Sequence, residues 1–240
     1  MSDAQAASGE RRIVVAIDGP AASGKSSTAH WVAEQLGFRH VDSGALYRAV
    51  TAAQLRAVES PDEWTEAEVM GRAPRVALQL AEGTFVPTLD GVPVEEEIRG
   101  AEVTRHVSRV AQMPAVRRWV NERVREAALR SDIVVDGRDM GTAVFPDADL
   151  KVFLVADPWE RARRRLIQRL QRGPTDAEIA EETERLVRRD AQDATQTVQA
   201  KDAVLIDTTA LTQEEQVERI VALVRAVTHR RDGTSGVDPE

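Results

Sequence analysis

Hydrophobic positions along the chain fall into short continuous runs separated by longer stretches of helical spacing. Five runs read as strands: Arg12–Ile17, Phe38–Val41, Asp132–Val135, Leu150–Val155 and Ala203–Ile206. The segment Ile13 to Ile17 is almost purely apolar and β-branched, as a strand covered on both faces should be. Between the runs apolar residues recur at helical intervals. Trp31, Val32 and Leu36 form one such set, and Gly37 can end that helix. Strands alternating with helices predict an α/β fold, with a five-stranded parallel sheet and flanking helices. Chemistry in such a sheet collects beyond the carboxyl ends of the strands. The residues there are Asp18-Gly19, Asp42-Ser43-Gly44, Asp136-Gly137-Arg138-Asp139, Asp157 and Asp207-Thr208.

One region breaks the rhythm. From Ser60 to Met113 there is a short helix candidate, Trp64–Arg72, and then "RVALQLAEGTFVPTLDGVPV", which reads as small antiparallel strands. Glu82-Gly83 and Asp90-Gly91 are the turns. The pattern predicts a lobe inserted between the second and third strands of the sheet. Residues 1–11 and 230–240 read as flexible tails.

Composition narrows the function classes. The 240 residues are 42% hydrophobic and 30% charged, enough for a sizeable core in one large domain or in a domain with an insertion. The absence of cysteine excludes disulfides, thiolate metal sites and cysteine nucleophiles, and it is compatible with a cytoplasmic location. No apolar run has the length of a membrane span, and the first ten residues lack the pattern of a signal peptide. A net charge of −8 speaks against a general nucleic-acid binder. The basic residues are nevertheless concentrated, in "ERARRRLIQRLQR" and "RLVRRD". Alone, that zone is equally a solvated helix face paired with acids such as Glu160 or a local site for polyanions. A phosphate-binding loop elsewhere in the chain adds weight to the second reading.

That loop is "GPAASGKS", residues 19–26, which fits G-x-x-x-x-G-K-[ST] between a buried strand and a helix. Gly19, Pro20, Ala21, Ala22, Ser23 and Gly24 carry little side chain, so their N–H groups can converge on an anion, and the helix start through Ser27 adds partial positive charge. Lys25 is placed for the β- and γ-phosphates, and Ser26 for Mg²⁺. Two further stretches carry candidate chemistry. In "HVDSGALYRAV" Ser43 is a natural helix N-cap, and Arg48 lies further along the same helix; together they suit a second phosphate. In "IVVDGRDMGTAVFPDA" Asp136 can hold a Mg²⁺-bound water, Arg138 offers a planar fork to phosphate, and Asp139 can bind a base or orient an arginine. The four histidines show no metal-ligand spacing, and His30 and His40 read as packing or surface residues. Phosphoryl transfer needs no covalent catalyst, since positioning and charge neutralisation carry it.

Together these stretches resemble the bacterial cytidylate kinases, a family of nucleoside monophosphate kinases. The resemblance runs from Arg12 to Val227 through "IDGPAASGKSS", "VDSGALYRAV", "EEIRGAEVTRHVSRVAQMPAVR", "DGRDMGTAVFPDADLKVFLVADPWERARRR" and "RRDAQDAT". It implies a P-loop core over residues 12–59 and 114–227, a monophosphate-binding insertion over 60–113, an arginine-rich helical lid over 158–198, and a monomer. It also implies Mg²⁺-dependent phosphoryl transfer from ATP to CMP or dCMP. Ser43, Arg48 and Arg138 would bind the acceptor phosphate. Ser108 and Arg117 would read cytosine, with Asp139 holding that arginine and the amino group. Asp193 would bind the ribose, with Arg189 near the sugar and phosphates, and Arg161, Arg164 and Arg165 would close on the transferring group. The match departs at Gln196, where an arginine is usual, and in a shorter connection to the last strand. One phosphate-binding arginine is either missing or replaced from the lid. Rival readings are a P-loop kinase for another acceptor such as UMP, AMP or shikimate, a nucleotide-gated switch, and a vestigial P-loop. "DSGALYR" and "DGRDMGT" argue against the first, the lack of an Asn-Lys-x-Asp element against the second, and intact Lys25, Ser26 and Asp136 against the third.

Overall fold

The computed structural model describes residues 12–57 and 63–234. The expected tail over 1–11 lies outside the described residues, as do 235–240, while 230–234 belong to the final helix. The first half of the chain forms β1 (Val14–Asp18), α1 (Lys25–Leu36), β2 (Arg39–Asp42), α2 (Ser43–Leu55) and α3 (Glu66–Arg72). Next come β3 (Val76–Ala81), β4 (Thr84–Leu89), β5 (Val92–Pro93), α4 (Glu95–Ile98), α5 (Ala101–Ala111) and α6 (Pro114–Ala128). The second half adds β6 (Ile133–Gly137), β7 (Leu150–Val155), α7 (Pro158–Leu170), α8 (Asp176–Asp193), β8 (Val204–Asp207) and α9 (Gln213–Thr234).

The five expected strands are β1, β2, β6, β7 and β8, and they pair in parallel in the order β2-β6-β1-β7-β8. Among the described residues the sheet has eight strands rather than five. The β3–β4 hairpin does not fold into a separate layer. The first residues of β4 pair in parallel with His40 and Val41 of β2, and the end of β4 takes β5 on the same edge. The hairpin thereby covers an edge whose N–H and C=O groups would otherwise be unpaired.

The sheet places the chemistry. From β1 the chain crosses to β2 on one side, and from β6 it crosses to β7 on the other. A crevice therefore opens between the carboxyl ends of β1 and β6. One face of the sheet packs on α1 and α9 through Val15, Ile17, Val32, Leu154 and Ile220. The other packs on α2 and α6 and the inserted elements, through Val41, Leu46, Val107, Val120 and Val135. In α5 the buried residues Val103, Val107 and Val110 repeat at helical spacing.

The α7–α8 hairpin has a thin core of its own: Ala162, Leu166, Ile179 and Leu186, seated on Ala21 of the loop after β1. Its three large apolar side chains contribute roughly 1.5–3 kcal/mol each.

Candidate active site

The loop after β1 is shaped by close approach. A Cβ on Gly19 would lie 2.3 Å from the Leu154 carbonyl oxygen, so no side chain fits there. Gly24 has φ of 87°, a left-handed value that glycine adopts without strain, and it provides no side-chain cap to α1. The first N–H groups of α1 are thus left to an external acceptor. Ser26 Oγ donates to Asp136 Oδ2 at 2.5 Å, and Lys25 Nζ donates to the Pro20 carbonyl. Ser27 bonds Gly24 and Gln213 of α9 instead of facing the loop interior. Asp18 accepts from the N–H groups of Met140 and Gly141, both at 2.8 Å, and so fixes the loop after β6 against the loop after β1. Its carboxyl is pushed up to about 6, chiefly by burial.

A cleft of about 190 Å³ runs from Lys25 and Ser26 past the ends of β2 and β6 to α5 and α8. It brings together Ala21, Ala22, Ser43, Arg48, Ser108 and Arg117 with Asp136, Arg138, Asp139, Arg165, Arg189 and Asp193. At one end Arg117 ties together the end of α5, the segment after α8 and the loop after β6. It donates to the Ala111 carbonyl, to Gln196 Oε1 and to Asp139 Oδ2, and its guanidinium lies 5.9 Å over the Tyr47 ring. In the middle Asp193 Oδ2 accepts from Arg138 at 2.8 Å and pairs with Arg189 at 3.7 Å, and Arg138 also bonds the Gly19 carbonyl. Arg48 donates to the Ile98 carbonyl and to Thr104.

Basic side chains outnumber carboxylates along the cleft, and burial first, then mutual repulsion, lowers the proton affinities of several of them. Burial and the charge of Arg138 bring Lys25 down to about 7. Burial and neighbouring arginines, Arg189 for Arg48 and Arg138 for Arg189, bring both guanidinium groups to about 10. A polyanion in the cleft relieves that repulsion.

Several expected residues sit otherwise than the sequence suggested. The N-cap of α2 is Asp42, whose side chain accepts from Ala45 N–H; Ser43 is not the cap, and its hydroxyl donates to the Asp136 carbonyl. The backbone turns one residue earlier because Asp42 is the last extended residue of β2. Of the three arginines expected to close on the transferring group, Arg165 lines the cleft, and Arg161 and Arg164 do not. Arg161 is buried, paired with Asp190 at 2.7 Å and bonded to the Ala21 carbonyl. Arg164 donates to the carbonyls of Thr208 and Thr209 before α9. Gln196 lines the cleft and holds Arg117.

Of the two expectations for His40, packing or surface, the structure bears out packing, through a polar contact. The side chain is buried, and its Nε2 lies 2.8 Å from Asp136 Oδ1. Burial alone would lower its proton affinity, but the Asp136 hydrogen bond and charge outweigh it and leave it raised. The signal was period-two alternation: His40 and Asp42 share one face of β2 and meet the β6 face that carries Asp136.

A phosphate cradle of strand, loop and helix that shares one cleft with a second set of arginines belongs to the P-loop phosphotransferases. The sequence model of the family described as Cytidylate kinase matches residues 15–226, and the chain belongs to that family. The cytidylate kinase of Desulfitobacterium hafniense (strain Y51) is 43% identical over 218 residues, which cover 89% of this chain and 93% of the relative. That of Solibacter usitatus (strain Ellin6076) is 40% identical over 229 residues, covering 93% and 97%. A solved structure of an uncharacterized protein from Eubacterium ventriosum superposes with a TM-score of 0.50 at 11% identity, over 89% of this chain and 99% of its own; that likeness concerns the fold alone.

Proposed function

We propose that the chain transfers the γ-phosphoryl group of ATP to CMP or dCMP, giving ADP and CDP or dCDP. The observation that carries the reading is the single cleft that joins the loop after β1 to the Arg117–Asp139 pair, with Arg48, Arg138 and Arg189 between them. Two phosphate-binding sets on one cleft serve transfer between two nucleotides, whereas a switch needs one set alone.

The residues divide the work along the cleft. The N–H groups of the loop and Lys25 hold the donor phosphates. Arg48, Arg138 and Ser43 orient the acceptor phosphate in line, and Arg165 and Arg189 neutralise charge as it spreads over the transferring group. Cytosine offers an amino donor and a carbonyl acceptor. The Asp139 carboxylate and the Arg117 guanidinium, with the buried Ser108 also lining the cleft, match that pattern. Asp193 binds the sugar hydroxyls while it holds Arg138. The α7–α8 hairpin brings Arg165 and Arg189 over the cleft and excludes water, so ATP is not spent on hydrolysis.

The Ser26 hydroxyl and the Asp136 carboxylate, 2.5 Å apart beside the loop, fit Mg²⁺. This ion takes oxygen donors, keeps several waters and is held by one or two carboxylates together with substrate phosphates. When bound, it supplies charge neutralisation at the donor phosphates. Titration calorimetry tests the acceptor reading. CMP and dCMP bind, UMP binds much more weakly, and Arg117→Met erases the difference. Equal affinity of the unaltered protein for CMP and UMP refutes the base readout.

A further inference from the structure

We propose that His40 is a positioning residue for the Mg²⁺–nucleotide site: its Nε2–H fixes the plane of the Asp136 carboxylate so that the second oxygen faces Ser26. The inference rests on the kinase reading and adds to it a residue that touches neither nucleotide.

The placement follows from the sheet. β2 and β6 are adjacent and parallel, with Asp42 opposite Asp136 and His40 opposite Val134. His40 and Asp136 are thus diagonal neighbours on one face, the arrangement through which long side chains on paired strands meet. Asp136 uses both oxygens: Oδ1 takes His40 Nε2 at 2.8 Å, and Oδ2 takes Ser26 Oγ at 2.5 Å. The imidazole is buried, and Asp136 is 1% exposed, so water does not compete for Oδ1. Among the described residues His40 Nδ1 has no hydrogen-bond partner and Nε2 faces Asp136, which favours the tautomer with its proton on Nε2. That tautomer makes His40 a donor to Asp136 and leaves the carboxylate only one oxygen, the one beside Ser26, for the cation side. A carboxylate held at one oxygen cannot rotate its other oxygen away from the loop. Partners of this kind behind a metal-site ligand are typically worth 10–100-fold in metal affinity.

The test compares the unaltered protein with His40→Phe, His40→Leu and His40→Gln, using Mn²⁺ as a paramagnetic probe in the presence of ADP. The two apolar variants remove the donor with different shapes, so one of them can fail to pack without ending the test. Gln retains an N–H donor on a side chain of similar reach. The expected result is Mn²⁺–ADP binding weakened about 10-fold in the apolar variants and largely restored in His40→Gln. Affinity for metal-free ADP and for CMP stays unchanged in all three. Unaltered Mn²⁺–ADP affinity in a folded apolar variant overturns the proposal. So does an equal loss of Mn²⁺–ADP, free ADP and CMP binding, which marks a packing role alone. Absence of CMP-dependent ADP release by the unaltered protein refutes the kinase reading instead, and that assay is independent of His40.

Discussion

Replacing Arg117 with Met separates the folding and recognition roles of one side chain. Arg117 and Asp139 are mostly buried, with side-chain exposures of 19% and 11%. Burial already holds the Asp139 carboxyl above its ordinary value, and Arg117 is the chief influence opposing it. Removing the guanidinium strands a buried carboxylate, a change worth about 3–5 kcal/mol when a pair is fully enclosed. With the cleft open on one side, the lower end applies, about 3 kcal/mol of lost stability at neutral pH. The same change removes a charged donor from the base, roughly 1.5–3 kcal/mol, or between 10- and 200-fold in KM for CMP. Urea unfolding of Arg117→Met, Asp139→Leu and the double variant measures the coupling. The double variant should recover most of the stability lost in Arg117→Met while CMP affinity stays low, because a deleted pair leaves no stranded charge. Additive losses in the double variant would refute the claim that the pair is coupled, and unchanged KM in Arg117→Met would refute its place in base recognition.

Three further outcomes follow from particular contacts. Gly19→Ala drives a Cβ to 2.3 Å from a backbone carbonyl of β7, so both thermal stability and ATP affinity should fall; a variant with normal melting temperature and normal ATP affinity contradicts the close approach. With Lys25 near 7 in place of its usual 10.5, ATP binding at pH 8 should take up a proton and weaken as pH rises, and calorimetry in two buffers should show that uptake vanish in Lys25→Met. Asp18, pushed up to about 6, binds more protons folded than unfolded between 3.8 and that value. Its contribution to stability should therefore fall as pH rises through that window, by roughly 3 kcal/mol in full. Urea unfolding across the window should show the slope removed in Asp18→Asn, and identical slopes would contradict the burial argument.

The parallel core was legible because most of its strands are largely apolar runs and the glycine-lysine loop follows the first of them. The cleft was legible for the same reason, since Asp136 lies at the carboxyl end of a strand and Arg138 and Asp139 directly past it. The β3–β4 hairpin was visible as strands, but its docking on β2 depends on an edge that no local pattern reports. Asp42 took the cap from Ser43 because both residues can cap, and the register of β2 decides between them. His40 was legible as a packing residue but not as a partner of Asp136: alternation puts it on the face of Asp42, and nothing local reports that Asp136, 96 residues away on another strand, meets that face. Arg161 and Arg164 were legible as a basic zone, yet charge density does not say which guanidinium groups the carbonyls of neighbouring loops will engage.

The most direct measurement is ADP release from Mg-ATP by the purified protein, with CMP, dCMP, UMP, AMP or no acceptor in parallel. Family membership and the Arg117–Asp139 pair at the end of the cleft require strong turnover with CMP and dCMP, far weaker turnover with UMP and AMP, and almost none without acceptor. Turnover independent of acceptor, or as fast with AMP as with CMP, would contradict transfer to a cytosine nucleotide while leaving the phosphate-binding loop in place.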